Sequence, residues 1–305
     1  MDKISKKALY YAFGAILAWS TVSTAFKLTL KHLTPLGLLL ISSLCATIFL
    51  AVVFFANTKN TKDKARSFNW KIRVLSGLLN PFIYYLMLFE AYRRLRAQEA
   101  QVLNYTWAIV LSFLSALLLK QKLKMKDIIA LFLSFFGVLI VSTQGRFWEF
   151  QFDDPLGSLL AVSTSFVWAF YWILNMKDSL SAIQKILGNF LIGTLATSLY
   201  ALVLGKLNYQ GLFTAEASIG YGILGGIYVG IFEMGLTFLL WQKALEYSKS
   251  TASTANLIFL TPFLSLIFIS IFLKEHIYPA TLIGLVLIVL SNWWQKSSRA
   301  VKVSK

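Results

Sequence analysis

Stretches of about twenty residues with scarcely a charge follow one another along this chain, beginning with "ALYYAFGAILAWSTVSTAFKLTL" (residues 8–30). A helix rises about 1.5 Å per residue, so such a stretch spans the roughly 30 Å hydrocarbon core of a bilayer. Within lipid every backbone N–H and C=O needs a partner in the chain, which leaves helices and closed barrels. Runs twice the length of a barrel strand (about 9–11 residues) select helices. Breaks between runs predict ten spans, near residues 8–30, 36–56, 72–95, 100–119, 127–143, 156–174, 183–205, 219–242, 253–273 and 279–294. Of the 305 residues only 14% are charged, against roughly 25% in soluble domains. The chain reads as an all-α polytopic membrane protein with almost no soluble part. Its start, "MDKISKK", has a signal peptide's basic flank, but no small-residue cleavage site follows, so a retained first span is expected.

The net charge of +16 would suggest nucleic acid for a soluble domain. Here the basic residues lie between apolar runs, and no nucleic-acid partner is expected; the bilayer itself is the partner they read. With the N-terminus cytoplasmic, inner connections hold 21 basic residues and outer ones seven, with Lys27 inside the first span. Positive charge favours the cytoplasmic side, so both termini are expected there, in the cytoplasmic (inner) membrane. The single cysteine, Cys45, excludes an internal disulfide and a thiol cluster. No cofactor, metal site or catalytic residue is expected.

The two halves echo each other. "YAFGAILAWSTVSTAFK" and "GSLLAVSTSFVWAFYWIL" share small and hydroxyl residues, with Trp19 set against Trp168. "LLLKQKLKMKDIIALFLSFFGVLIVS" parallels "IFLKEHIYPATLIGLVLIVLS". Five spans per half is an odd number, so the second half (147–305) enters the membrane upside down relative to the first (1–146). Inverted repeats of this kind build secondary transporters, with the substrate near the midplane between halves.

Ten spans in two such halves, with "LKEHIYPATLIGLVLIVLS" before the C-terminus, resemble the EamA-type members of the drug/metabolite transporter superfamily. Trp19, Gly284 and "STASTANLIFLTPFLSLIFISIFLKEHI", with Pro262 and Glu275, carry the resemblance along the whole chain. "LNYTWAIVLSFLSALLLKQK" is similar to a stretch of aromatic amino acid exporters of the YddG type, with Ala108 where those have proline. The resemblance implies a small-molecule solute, and amino acid export is its sharpest version; import of a nucleoside, quaternary amine or other nutrient is the runner-up. A monomer or homodimer is expected.

Polar and aromatic residues at helical spacing mark the candidate substrate site. Span one offers Trp19, Ser20, Ser23 and Thr24, with Lys27 near its end. Span three offers Asn80 and Tyr84 around Pro81, where a kink is expected. Span four gives Asn104 and Trp107; span six gives Trp168, Tyr171 and Trp172; span eight gives Tyr228; span nine gives Asn256 beside a kink at Pro262. Glu233 is the sharpest signal. Burying a charge at bilayer depth costs about 2.5–3.5 kcal/mol on insertion scales, so such a carboxyl implies a partner, a proton or a task. Gly226, Gly230 and Thr237 fall on its expected face, and the repeat sets Glu233 opposite Asn80. Proton or amine binding is the reading for Glu233; for Glu90, pairing with Arg93 or Arg94 is expected instead. These groups are expected to rim a solvent-filled hollow. An enzyme would need a nucleophile–base pair or metal ligands within the spans, and there is no H-E-x-x-H and no G-x-S-x-G. A channel would need charged rings, and no P-loop is present to spend nucleotide.

Overall fold

The computed structural model describes residues 6–57, 69–118, 125–146, 154–178, 180–215, 217–247 and 257–300. Among them the chain is helical, and its sole extended pairing is one isolated bridge, Leu33 with Phe213. In order come α1 (Lys6–Thr29), α2 (Pro35–Asn57), α3 (Trp70–Gly77), a π-helical segment (Leu78–Ile83) and α4 (Tyr84–Arg94). Then follow α5 (Ala97–Asn104), α6 (Trp107–Leu118), α7 (Met125–Ser142), α8 (Pro155–Lys177), α9 (Ala182–Val203) and the short α10 (Tyr209–Leu212). α11 (Ile219–Tyr228) passes through a second π segment (Val229–Glu233) into α12 (Leu236–Glu246). A 3-10 turn (Leu257–Leu260), α13 (Thr261–Phe268), a third π segment (Ile269–Leu273) and α14 (Pro279–Ala300) complete the described chain.

Six of these runs are long and apolar enough to cross a membrane: Lys6–Thr29, Pro35–Ala56, Trp70–Arg94, Pro155–Asn175, Ala182–Val203 and Ile219–Glu246. Shorter apolar helices at Ile128–Val141, Leu257–Leu273 and Pro279–Ser291 accompany them. Large apolar side chains on the flanks face outward, with Val52 63%, Phe132 63% and Leu195 61% exposed. Water would penalise that girdle and lipid would not.

Helix starts follow local chemistry. Asn69 Oδ1 accepts from the Lys71 and Ile72 amides at 3.1 and 3.2 Å, and Asp154 Oδ1 accepts from Gly157 N at 2.7 Å just before Pro155. Both are N-caps, satisfying amides that the helix leaves over. Pro262 does not kink a helix. It occupies the first turn of α13, where a missing N–H removes no intrahelical bond.

α1 runs along α12, α2 along α9, and α4 and α6 along α8; α7 and α14 cross at two glycines. A Cβ on Gly284 would stand 2.7 Å from Gly137 O, and one on Gly137 2.9 Å from Gly284 O. Only the missing side chains let the two backbones approach so closely. At one end of the bundle Thr34 N donates to Leu212 O and Thr214 N to His32 O, each at 3.0 Å, tying the α1–α2 connection to residues 205–218. At the same end Glu275 Oε1 accepts from Ala97 N at 3.0 Å, capping α5 from a distant part of the chain.

Gly284→Leu forces α14 away from α7, and overpacking of this kind costs about 1–3 kcal/mol. The expected outcome is a lower thermal transition of the detergent-purified protein, with Gly284→Ala falling between the two.

A buried carboxyl in an aromatic cluster

Within the long spans, α-helix is interrupted at Asn80 and again just before Glu233. In Leu78–Ile83 Asn80 leaves helical geometry (φ −142, ψ 120) ahead of Pro81. In Val229–Glu233 hydrogen bonds skip to the fifth residue, which adds a residue to one turn. That extra residue breaks the α-helical face expected from spacing. Gly226 and Gly230 lie against α2, where a Cβ on Gly230 would meet Ser42 O at 2.5 Å and Cys45 Cβ at 2.8 Å. Glu233 turns instead toward α4 and α1. The Tyr85 hydroxyl donates to Glu233 Oε1 at 2.9 Å. The Trp19 indole approaches the same carboxyl without closing a hydrogen bond onto Oε2, which is buried and unpartnered among the described residues. Thr237 Oγ1 donates back to Phe232 O within its own span.

The two rings that reach this carboxyl, Tyr85 and Trp19, belong to a larger aromatic cluster. Trp168 lies at centroid distances of 4.8 Å from Tyr84, 5.4 Å from Tyr171 and 6.1 Å from Phe238. Trp19 meets Phe238 edge-on and Trp241 tilted, each at 5.7 Å. Tyr84 and Tyr85 meet edge-on at 4.9 Å. Such pairs contribute about 0.5–1.5 kcal/mol each beyond their buried area. Elements α1, α4, α8 and α12 thus meet ring to ring where a solvent-filled hollow was expected.

The remaining candidates divide. Asn104 Nδ2 donates to Thr164 Oγ1 (2.8 Å) and to the Tyr84 hydroxyl (3.3 Å), placing Asn104 at the cluster's edge. Asn80 Oδ1, beside the Tyr171 hydroxyl, is buried without a hydrogen bond in standard geometry. Ser20 returns its hydroxyl to Ile16 O at 2.6 Å, and Ser23 pairs with the Tyr92 hydroxyl at 2.8 Å, so both are occupied in packing. Thr24 and Tyr228 line a separate cavity. Trp172 is 37% exposed and nearly perpendicular to the Trp168 ring, and Trp107 is half-buried and makes no ring contact among the described residues. Asn256 lies outside the described residues.

Lys27 has a structural occupation. Its Nζ donates to the carbonyls of Tyr92 (2.7 Å) and Leu95 (2.5 Å), ending α4 with a cation where the helix dipole favours one. Glu90 pairs with Arg93 (2.5 Å) and Arg94 (2.7 Å) as expected. Spacing did not reveal three groups: Tyr85, Phe238 with Trp241, and the network at the opposite end of the bundle. There Arg73 donates to Asp178 Oδ2 (2.5 Å), Asn189 Oδ1 (3.0 Å) and Lys185 O (2.8 Å). Asn189 Nδ2 in turn donates to the Tyr171 hydroxyl at 3.2 Å, joining that ion pair to the aromatic cluster. An arginine opening an otherwise apolar span was the signal available.

The EamA-like transporter family profile matches this chain twice, over residues 6–143 and 155–294. An "Uncharacterized transporter" of Archaeoglobus fulgidus is 26% identical over 272 residues, 88% of this chain and 90% of its own length. "Uncharacterized transporter YvbV" of Bacillus subtilis is 26% identical over 303 residues, covering 98% and 95% of the two. A crystal structure superimposes with TM-score 0.64 at 18% identity, over 98% of this chain and 99% of that one, a likeness of fold alone.

Asp178→Asn strands the Arg73 guanidinium among buried groups, and breaking one partner of a buried pair costs about 3–5 kcal/mol. A large drop in the thermal transition is expected, with the double variant Arg73→Met/Asp178→Leu recovering most of it.

Proposed function

The chain belongs to the EamA-like transporter family, and from that premise we propose that it is a secondary transporter exporting small amphipathic metabolites, amino acids foremost, by alternating access. That it is a membrane transporter follows from the family and from relatives bearing that name. The observation that carries the finer reading is the pair of interrupted helices. Leu78–Ile83 falls in the first matched stretch and Val229–Glu233 in the second, near the positions that the repeat reading sets opposite each other. Broken helices in matching positions of inverted repeats are where secondary transporters build their midplane sites.

Packing supports reading 1–146 and 147–305 as inverted five-helix repeats of a ten-span protein. Each pairing has a counterpart with the halves exchanged: α1 on α12 answers α4 on α8, α11 on α2 answers α3 on α9, and α1 on α13 answers α6 on α8. α2 with α9, and α7 with α14, each pair with their own equivalents. Rocking one half against the other would open the aromatic cluster to either side of the cytoplasmic membrane, with both termini cytoplasmic.

Glu233 supplies the chemistry. Its hydrogen-bond partner among the described residues is a neutral phenol, so its charge is balanced by a proton or by a cation from the solute. A substrate ammonium would bind between Oε2 and the ring faces of Trp19 and Trp168, which attract cations. Asn80 Oδ1 would offer a second acceptor, and Tyr84 and Tyr171 would pack on an apolar side chain. Solute and bilayer are then the partners this reading needs.

Two variants of the reconstituted full-length protein test it, read as counterflow of radiolabelled amino acids in proteoliposomes. Glu233→Gln loses a charge-assisted contact of about 1.5–3 kcal/mol, so flux is expected to fall about tenfold or more and to lose its pH dependence. Trp168→Ala is expected to raise KM roughly two- to tenfold at unchanged expression. Wild-type flux with an unaltered pH profile in Glu233→Gln would return that carboxyl to packing.

A further inference from the structure

Apart from the aromatic cluster, a cavity of about 680 Å³ lies between α1, α11 and the π segment Ile269–Leu273. Its walls include Leu28, Leu224 and Phe272, which are 38%, 63% and 60% exposed. The cavity therefore opens sideways, into the apolar girdle that lipid covers. Lys31 and His32 close one end, just past the last residue of α1. Lys31 is exposed and joins no ion pair among the described residues. His32 stacks on Tyr221 and accepts at Nδ1 from Ser218 N at 3.3 Å.

Thr24 is the unexpected lining residue. It is 6% exposed, and its hydroxyl has no partner among the described residues. Hydroxyls inside helices usually return to a carbonyl one turn back, and neighbouring Ser20 and Thr21 do so, to Ile16 O (2.6 Å) and Ala18 O (2.7 Å). A buried hydroxyl left without a partner in the wall of an apolar groove calls for an acceptor that arrives with an apolar body. Lys31 stands seven residues further on, about 10 Å along a helix.

We infer that this cavity binds an anionic phospholipid of the adjoining leaflet, with its phosphate against Lys31 and His32, an ester carbonyl on the Thr24 hydroxyl, and an acyl chain along Ala25, Leu28 and Phe272. A free anion would leave the apolar walls unfilled. A zwitterionic lipid would bring its own cation to an already basic rim, whereas an acidic headgroup brings only negative charge to it. The Thr21–Tyr228 hydrogen bond (2.6 Å) also belongs to this wall, so an occupant would brace α1 against α11.

Native mass spectrometry of the detergent-purified full-length protein, offered phosphatidylglycerol or phosphatidylcholine at equal concentration, tests the assignment. One retained phosphatidylglycerol is expected in preference to phosphatidylcholine. Lys31→Gln/His32→Gln is expected to lower its retention ~fivefold, on the scale of basic residues at a membrane surface, while leaving phosphatidylcholine unchanged. Leu28→Trp, which fills the groove from its lipid-facing side, is expected to abolish it; thermal transitions of both variants near wild type keep folding out of the comparison. Equal retention of the two lipids overturns the assignment, as does undiminished phosphatidylglycerol in both variants. Displacement by inorganic phosphate alone would mean an anion site without a lipid, and also overturns it.

Discussion

A bilayer interior offers no water to polar groups, so each must find its partner within the protein or wait for one that arrives. Many polar side chains in the described spans take the first option. Ser20, Ser23, Thr47, Asn104, Thr164 and Asn189 are bonded to neighbouring helices or back to their own. The ion pair Arg73–Asp178 and the Lys27 cap on α4 do the same for charges at the two ends. Thr24, Asn80, Ser265 and Glu233 each keep a buried atom without a partner among the described residues, and of these four Glu233 is the one that can carry a charge, held by one phenol and faced by one indole.

That exception depends on the backbone. A regular α-helix through span eight would keep Glu233 on the same stripe as Gly230, against α2. The extra residue in Val229–Glu233 rotates the remainder of the span and delivers the carboxyl to Tyr85 and Trp19. In span three the break at Asn80 likewise frees a side-chain oxygen beside Tyr171. Two glycine-lined contacts hold the frame around these breaks: α11 on α2 at Gly226 and Gly230, and α7 on α14 at Gly137 and Gly284.

Six of the ten expected spans were legible in the sequence as helices long and apolar enough to cross, because a 30 Å apolar core demands a countable length of apolar chain. Trp19, Tyr84, Tyr171, Trp168 and Glu233 were legible as a group, since rare polar and aromatic residues at span centres stand out from a leucine-rich background. Their partners were not. Spacing from Asn80 points to Tyr84 and away from Tyr85, and spacing fails where the helix is broken. Phe238 and Trp241 look like ordinary span filler, and only tertiary packing brings them to Trp19. Lys27 illustrates the converse: a lysine within a span suggests a ligand for anions, yet the end of α4, 65 residues away in sequence, uses it first.

The central claim is that the Glu233 carboxyl is chemically available inside the membrane and is the group a solute or proton engages. Dicyclohexylcarbodiimide, which reacts with protonated carboxyls in apolar surroundings, tests this on the full-length protein in membranes, with peptide mass mapping as readout. The account predicts modification at Glu233, suppressed when a transported solute is present and accompanied by loss of flux. Flux undiminished after complete modification of Glu233, or labelling that no transported solute alters, would contradict it.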